Sequence, residues 1–447
     1  MSLKNLLTYL CTTFLSLSFF FSLTLADENN TTRQYPNKPE IFFPELSAVL
    51  SGLGEKAPFL EEQRELVIQA RAGRVISDSS KGFKVGINAQ AQSLHEDRPS
   101  EGFNHRFRLL GSVFLKRPLY HWGALDAASR VSELSEKNSK IQYASLQRSY
   151  ESKTRSDFLD LVILRYEEDL ARASYSLAKE NELDLIRRSE LGLVSDLTVY
   201  ESTLSRLKQS IKLSDLKRKA NYQGRIFYLE TGYSKGLTFT KTPQFTDFCE
   251  KHVFSGSPAI LVSRLSSPEL QNLRNEIEKE NNHIRIAEAD LKPKLNLIGG
   301  IYQDQVDLAS SNESLNRNNL LIGIEAQWNI WDSSLSKGKK EAARSRKRMN
   351  EMSLQRHSRS LRLLVEDLYN QISSLSQKIE VNRQLVKVAD NRYEKSILEF
   401  QQNRITPTLH FEARLTLDES KLDLAKTVSH YLKVRDLYDE RTNFMKN

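Results

Sequence analysis

Twice along the chain, short runs that alternate apolar and polar residues give way to very long runs with helical spacing. In residues 83–92, Phe83, Val85, Ile87, Ala89 and Ala91 alternate with Lys84, Gly86, Asn88, Gln90 and Gln92. The polar residues His95, Glu96, Asp97 and Arg98 then predict a loop, after which Phe107, Leu109, Gly111, Val113 and Leu115 alternate with Arg108, Leu110, Ser112, Phe114 and Lys116. The second occurrence has Leu295, Leu297, Gly299 and Ile301, a polar loop over residues 303–318, and then Leu320, Ile322, Ile324, Ala326, Trp328 and Ile330. Period-two alternation predicts strands with one apolar and one wet face. Runs of roughly ten residues also suit tilted strands that cross a bilayer.

The flanking runs read as helices. One opens at Pro58 and another at Pro268, where proline begins a helix without losing a needed hydrogen bond. Two much longer runs, 124 to about 191 and 335 to about 402, contain no proline. Each would extend on the order of 100 Å at 1.5 Å per residue. Shorter helices follow, with seven-residue spacing through Leu197, Leu204 and Ile211, joined by Tyr200 and Leu207, and with Phe411, Leu415 and Leu422 in matching places. That spacing predicts coiled-coil packing between the long and short limbs. Between the limbs lie brief breaks. Gly192 and the candidate cap Ser195 mark the first; Asn403, the candidate cap Thr406 and Pro407 mark the second.

The two occurrences are copies of one plan at a constant offset of 211 residues: Leu109 matches Leu320, Tyr120 matches Trp331, Phe158 matches Tyr369, Ser195 matches Thr406 and Glu201 matches Glu412. A repeat this long implies two equivalent structural halves rather than a solenoid. The expected fold is mostly α, with long helical hairpins and four strands per chain whose apolar face meets either a bilayer, as a transmembrane β part, or a protein core.

Residues 1–26 carry Lys4, then an apolar run ending Thr24-Leu25-Ala26, the layout of a signal peptide. Residues 27–57, with Pro36, Pro39 and Pro44, predict an extended segment; 58–230 form the first repeat, 231–267 an insertion and 268–447 the second repeat. After removal of the leader Cys249 is the only cysteine, so no intrachain disulfide is expected. No later run is long and apolar enough for a membrane-spanning helix, so any membrane segment would be a closed β-barrel. Trp122, Trp328 and Trp331 fall with Tyr120 at the ends of second strands, where aromatic residues mark a membrane interface. The net charge of +8 is interleaved with acidic residues, and the leader argues for export, so nucleic acid is not an expected partner. The eight histidines show no metal-ligand spacing, and no phosphate loop or catalytic motif appears; neither an enzyme nor a cofactor is expected.

This doubled order of helix, two strands, long helix, tip and helix resembles the TolC family of outer-membrane efflux and secretion channels. The segment from Lys116 through Pro118, Tyr120 and Trp122 to Gly123 is similar to the family's strand-to-helix passage, and Leu191-Gly192-Leu193 to its first tip. The second passage, Trp328 to Ser334, departs by lacking proline and glycine. The resemblance implies a homotrimer with a twelve-stranded barrel in outer-membrane lipid and a helical tunnel across the periplasm. It further implies a periplasmic adaptor protein and an inner-membrane pump or ABC transporter as partners. By position it places adaptor contacts at Gly192, Leu193 and Asn403, and a gate at Phe400, Arg404, Glu412 and its repeat equivalent Glu201. The alternative is a soluble periplasmic coiled-coil scaffold whose strands pack onto a protein core.

Overall fold

The computed structural model describes residues 38–98, 102–233, 267–307 and 314–442. The predicted leader 1–26, Cys249 and most of the insertion between the halves lie outside the described residues. A short 3-10 turn at Pro39–Ile41 precedes helix α1 (Pro44–Lys56) and α2 (Pro58–Ser79). Strands β1 (Lys84–Arg98) and β2 (Gly102–Tyr120) lead into α3 (Ala124–Glu190) and α4 (Asp196–Thr231). The second half repeats this order as α5 (Pro268–Ala289), β3 (Lys294–Asp307), β4 (Ser314–Gln327), α6 (Leu335–Gln401) and α7 (Pro407–Thr442). Both long helices have 67 residues and both return helices 36, so the repeat is kept to the residue.

Three expectations are corrected. The segment predicted to be extended contains α1, because Pro44 sits at the start of a helix rather than breaking one, and Leu46, Val49 and Leu53 share its buried face. The predicted loop at His95–Arg98 belongs to β1, which stays paired with β2 out to Arg98↔Gly102. Likewise β3 and β4 run to Asp307↔Ser314 through residues predicted as loop. Backbone pairing continues where apolar alternation stops, since the ladder bonds use main-chain groups that polar residues carry as well. The third correction concerns the heptad stripe of α4. Leu197, Tyr200, Leu204 and Ile211 are 57–67% exposed and do not cover the partner limb, whereas Leu422 of the second hairpin is buried. Seven-residue spacing states that a stripe wants covering, not which neighbour covers it.

The four strands form one antiparallel sheet in the order β1-β2-β3-β4, so β1 and β4 are edges within the chain. A register shift between Pro118 and Tyr120 absorbs the proline of β2. The main core lies midway along the helices, where Phe43, Leu46 and Val49 pack with Phe158, Leu161, Phe227, Ile372, Val428 and Leu432. Phe158 lies 5.2 Å from Phe43 and 6.0 Å from Phe227, ring centre to ring centre. Each such side chain contributes roughly 1.5–3 kcal/mol by leaving water. Beside this core the buried Arg155 joins three elements: its Nε donates to Glu40 at 2.7 Å, and Nη1 lies 3.4 Å from Asp436 of α7. Among the described residues no helix is long and apolar enough to cross a membrane.

Candidate functional site

Two regions hold the residues that the sequence singles out: the tips of the hairpins and the sheet at the opposite end of the long helices. At the first tip Gly192 has φ +73°, and Leu193 N donates to Arg188 O at 2.8 Å while Gly192 N donates to Ser189 O at 2.8 Å. That left-handed cap satisfies carbonyls that the helix end leaves free. Asn403 reproduces it with φ +54°, Arg404 N donating to Glu399 O and Asn403 N to Phe400 O, at 2.8 and 2.9 Å. Thr406 caps α7 by accepting from Leu409 N at 3.3 Å. Ser195 does not cap α4 with its side chain, which instead shares a hydrogen bond with Thr198 Oγ1 at 3.1 Å. The first tip presents Leu191 and Leu193 to solvent, 73% and 71% exposed.

The gate candidates are scattered within one chain. Glu201, Arg404 and Glu412 are exposed, and none is joined to another described side chain by an ion pair, so Arg404 and Glu412 do not latch to each other inside one chain. Phe400 is engaged in a cluster that sequence reading missed. The His410 ring stacks on Phe400 (5.1 Å, 7°) and faces Tyr393 (5.5 Å, 20°), while its Nδ1 lies 3.1 Å from Ser396 Oγ. The signal was present as aromatic residues seven apart at 393 and 400 facing a histidine just past the turn. At the matching places the first tip has Glu182, Ser189 and Val199, and Ser189 Oγ donates to Asp196 at 2.8 Å instead.

At the sheet end, the face formed by Val85, Ile87, Val113, Ile301, Leu320, Ile322 and Ile324 is apolar, and it stands open to solvent: Ile87 is 77% and Ile322 81% exposed. The other face carries Lys116 paired with Glu325 at 2.6 Å and Arg108 paired with Asp304 at 2.7 Å. All three tryptophans are exposed at the helix end of the sheet. The Trp122 indole donates to Pro293 O at 2.8 Å and that of Trp328 to Leu291 O at 3.0 Å, so the rings are fixed at the entrance to β3 without being core residues. The turns from strand to helix keep the repeat in backbone form. Trp122 and Gly123 have φ of 54° and 74°, and Ser333 and Ser334, 211 positions on, have 52° and 69°. The missing glycine is offset by Asp332, which accepts from the Ser336 hydroxyl and from Ser336 N at 2.8 Å; the hydroxyl bond first, then the backbone one, holds its carboxyl below the usual range.

The family model described as outer membrane efflux protein matches residues 261–404. No curated protein sequence matches significantly. Among solved structures, the CmeC outer membrane channel of Campylobacter jejuni is 15% identical with a TM-score of 0.72, over 89% of this chain and 85% of that one. The outer membrane protein VceC of Vibrio cholerae is 13% identical with a TM-score of 0.68, over 89% and 96% of the two chains. The open-state MtrE outer membrane channel of Neisseria gonorrhoeae is 12% identical with a TM-score of 0.70, over 89% of each. The chain therefore carries the outer membrane efflux protein signature across its second strand pair and second long helix, and its described residues have the fold of the TolC-type channels.

Proposed function

We propose that three copies of this chain assemble into a passive outer-membrane exit duct, serving a tripartite efflux pump or a type I secretion system. The observation that carries this reading is the sheet: its exposed face is apolar, and among the described residues the outer edges of β1 and β4 have no strand partner. Open edges cannot persist in lipid, where each unmet backbone group costs several kcal/mol, so the strands must close into a barrel with other copies. Twelve strands from three chains give an even-numbered barrel. The long hairpins then form a tunnel through the periplasm, with the uncovered stripe of α4 and the exposed Val381, Leu385 and Val388 of α6 supplying seams between copies.

In this reading the tips are where the duct is opened. Gly192, Leu193 and Asn403 meet a periplasmic adaptor, which links the duct to an inner-membrane pump or ABC transporter that supplies the energy. Phe400, Arg404, Glu412 and Glu201 line the constriction. A threefold ring of Glu412 favours cations there. Glu412→Gln is expected to lower cation selectivity in planar bilayers; selectivity equal to that of the unaltered protein would remove Glu412 from the gate.

The direct test is purification from detergent-solubilised membranes, followed by measurement of oligomeric mass and single-channel conductance. A conducting trimer is expected. A monomer or dimer that is soluble without detergent and does not conduct would establish the scaffold reading instead.

A further inference from the structure

The face of the sheet opposite the apolar one is not uniformly polar. The register lays Gly86, Phe114, Gly300 and Leu321 side by side across all four strands. That row contains no polar side chain. Ile298 stands on one side of it and Tyr302 on the other, on the same face. The two aromatic rings lie along the wall across the glycines: a methyl group built on Gly86 would fall 2.3 Å from Phe114 Cζ, and one on Gly300 3.2 Å from Tyr302 Cε2. At Gly323, beside Ile298, the same construction meets nothing within 4 Å, which leaves a shallow recess.

Charge brackets this row. Beyond Tyr302 the described side chains include Arg108 and Arg317 against Asp304, and beyond Phe114 they include Lys84 and Lys116 against Glu325. Among the described side chains the rim beyond Phe114 has two cations, Lys84 and Lys116, to one anion, Glu325. The rings lie against the bare backbone of Gly86 and Gly300, which supports the strand pairing, and Tyr302 remains 37% exposed between the charged residues. Flat apolar surface next to spare positive charge complements a molecule with a ring-bearing body and an acidic head.

We propose that this row is a contact site in the barrel lumen for amphipathic organic anions, repeated in each copy and met by cargo on its way out. The inference rests on the duct reading and names the class of molecule that the lumen favours. The test is current through the reconstituted full-length protein in a planar bilayer, with 8-anilinonaphthalene-1-sulfonate as probe, ethanesulfonate as its ring-free counterpart and tetraphenylphosphonium as a ring-bearing cation. The ring-bearing anion is expected to reduce the current at concentrations where the other two do not. Phe114→Gln and Tyr302→Gln are each expected to weaken that block by about fivefold to tenfold, the size of one lost aromatic contact. Two variants are used so that one that does not insert leaves the other to decide. Block unaltered by both substitutions, or equal block by ethanesulfonate or by tetraphenylphosphonium, would overturn the assignment. An unaltered protein that carries no current overturns the duct itself, a result read before any probe is added.

Discussion

At the scale of single residues, Gly192 and Asn403 reach one backbone conformation by different means. Glycine has no Cβ to clash at positive φ, and asparagine tolerates the region better than other side chains. A β-branched residue does not, so Asn403→Val is expected to cost roughly 1–2 kcal/mol locally. The cost would appear as faster protease nicking at the second tip, with Asn403→Gly indistinguishable from the unaltered protein. A second residue-level consequence follows from the carboxylates around Arg155. Burial pushes Glu151, Asp439 and Glu440 above the ordinary carboxylate range. The attraction of Arg155, Lys38 or Arg435 opposes this without cancelling it at Glu151 and Asp439, where Asp436 adds repulsion. Between the ordinary and the raised values the folded chain binds more protons than the unfolded one. Its stability therefore falls as pH rises through that window, and this contribution is complete below the ordinary range. Asp78 and Glu136 are shifted the other way, and their contribution is lost only at lower pH. The helical melting midpoint, followed by circular dichroism, is accordingly expected to be higher near about pH 5 than near pH 7. Glu151→Gln should flatten that slope; an unchanged slope would show that Glu151 does not contribute.

At the scale of elements, the two tips differ despite their shared backbone. The second is held from both sides by the stack of Tyr393, His410 and Phe400, while the first relies on Ser189 and Asp196. His410→Ala is expected to raise hydrogen–deuterium exchange over residues 393–410 and leave the first tip unchanged; equal exchange in both proteins would mean that the stack does not order the tip. The elements that the sequence revealed are those with a sustained period. The two 67-residue helices follow from spacing alone almost to their ends, and the four strands follow in number and order, although each runs about five or six residues further into the predicted loops. Helix α1 was hidden because prolines at 36, 39 and 44 read as an extended segment, although Pro44 opens the helix. The strand extensions over His95–Arg98 were hidden because pairing is a backbone property and polar side chains do not forbid it. His410 was hidden for a third reason: its partners come together only once the tip is folded. The left-handed turn at Ser333 and Ser334 shows the reverse, a conformation conserved within the repeat although the residues that favour it are gone.

At the scale of the whole molecule, one chain leaves much of its apolar surface without a neighbour. Leu197, Tyr200, Leu204, Leu207 and Ile211 lie along one stripe of α4, all exposed, which is more than a solitary soluble chain carries without consequence. Leu204→Asp is expected to break the proposed trimer into smaller species on native electrophoresis in detergent; an intact assembly would place the seam elsewhere. The open edges of β1 and β4 have a consequence in genetics. In the proposed ring of three, a wall finished only by its neighbours would make the fault of one copy the fault of all. When sound and edge-damaged copies are made in equal amounts and mix at random in threes, roughly one ring in eight has no damaged member. A mutation at such an edge should therefore behave as dominant over the intact gene, whereas one confined to a helix surface facing water should be masked by it.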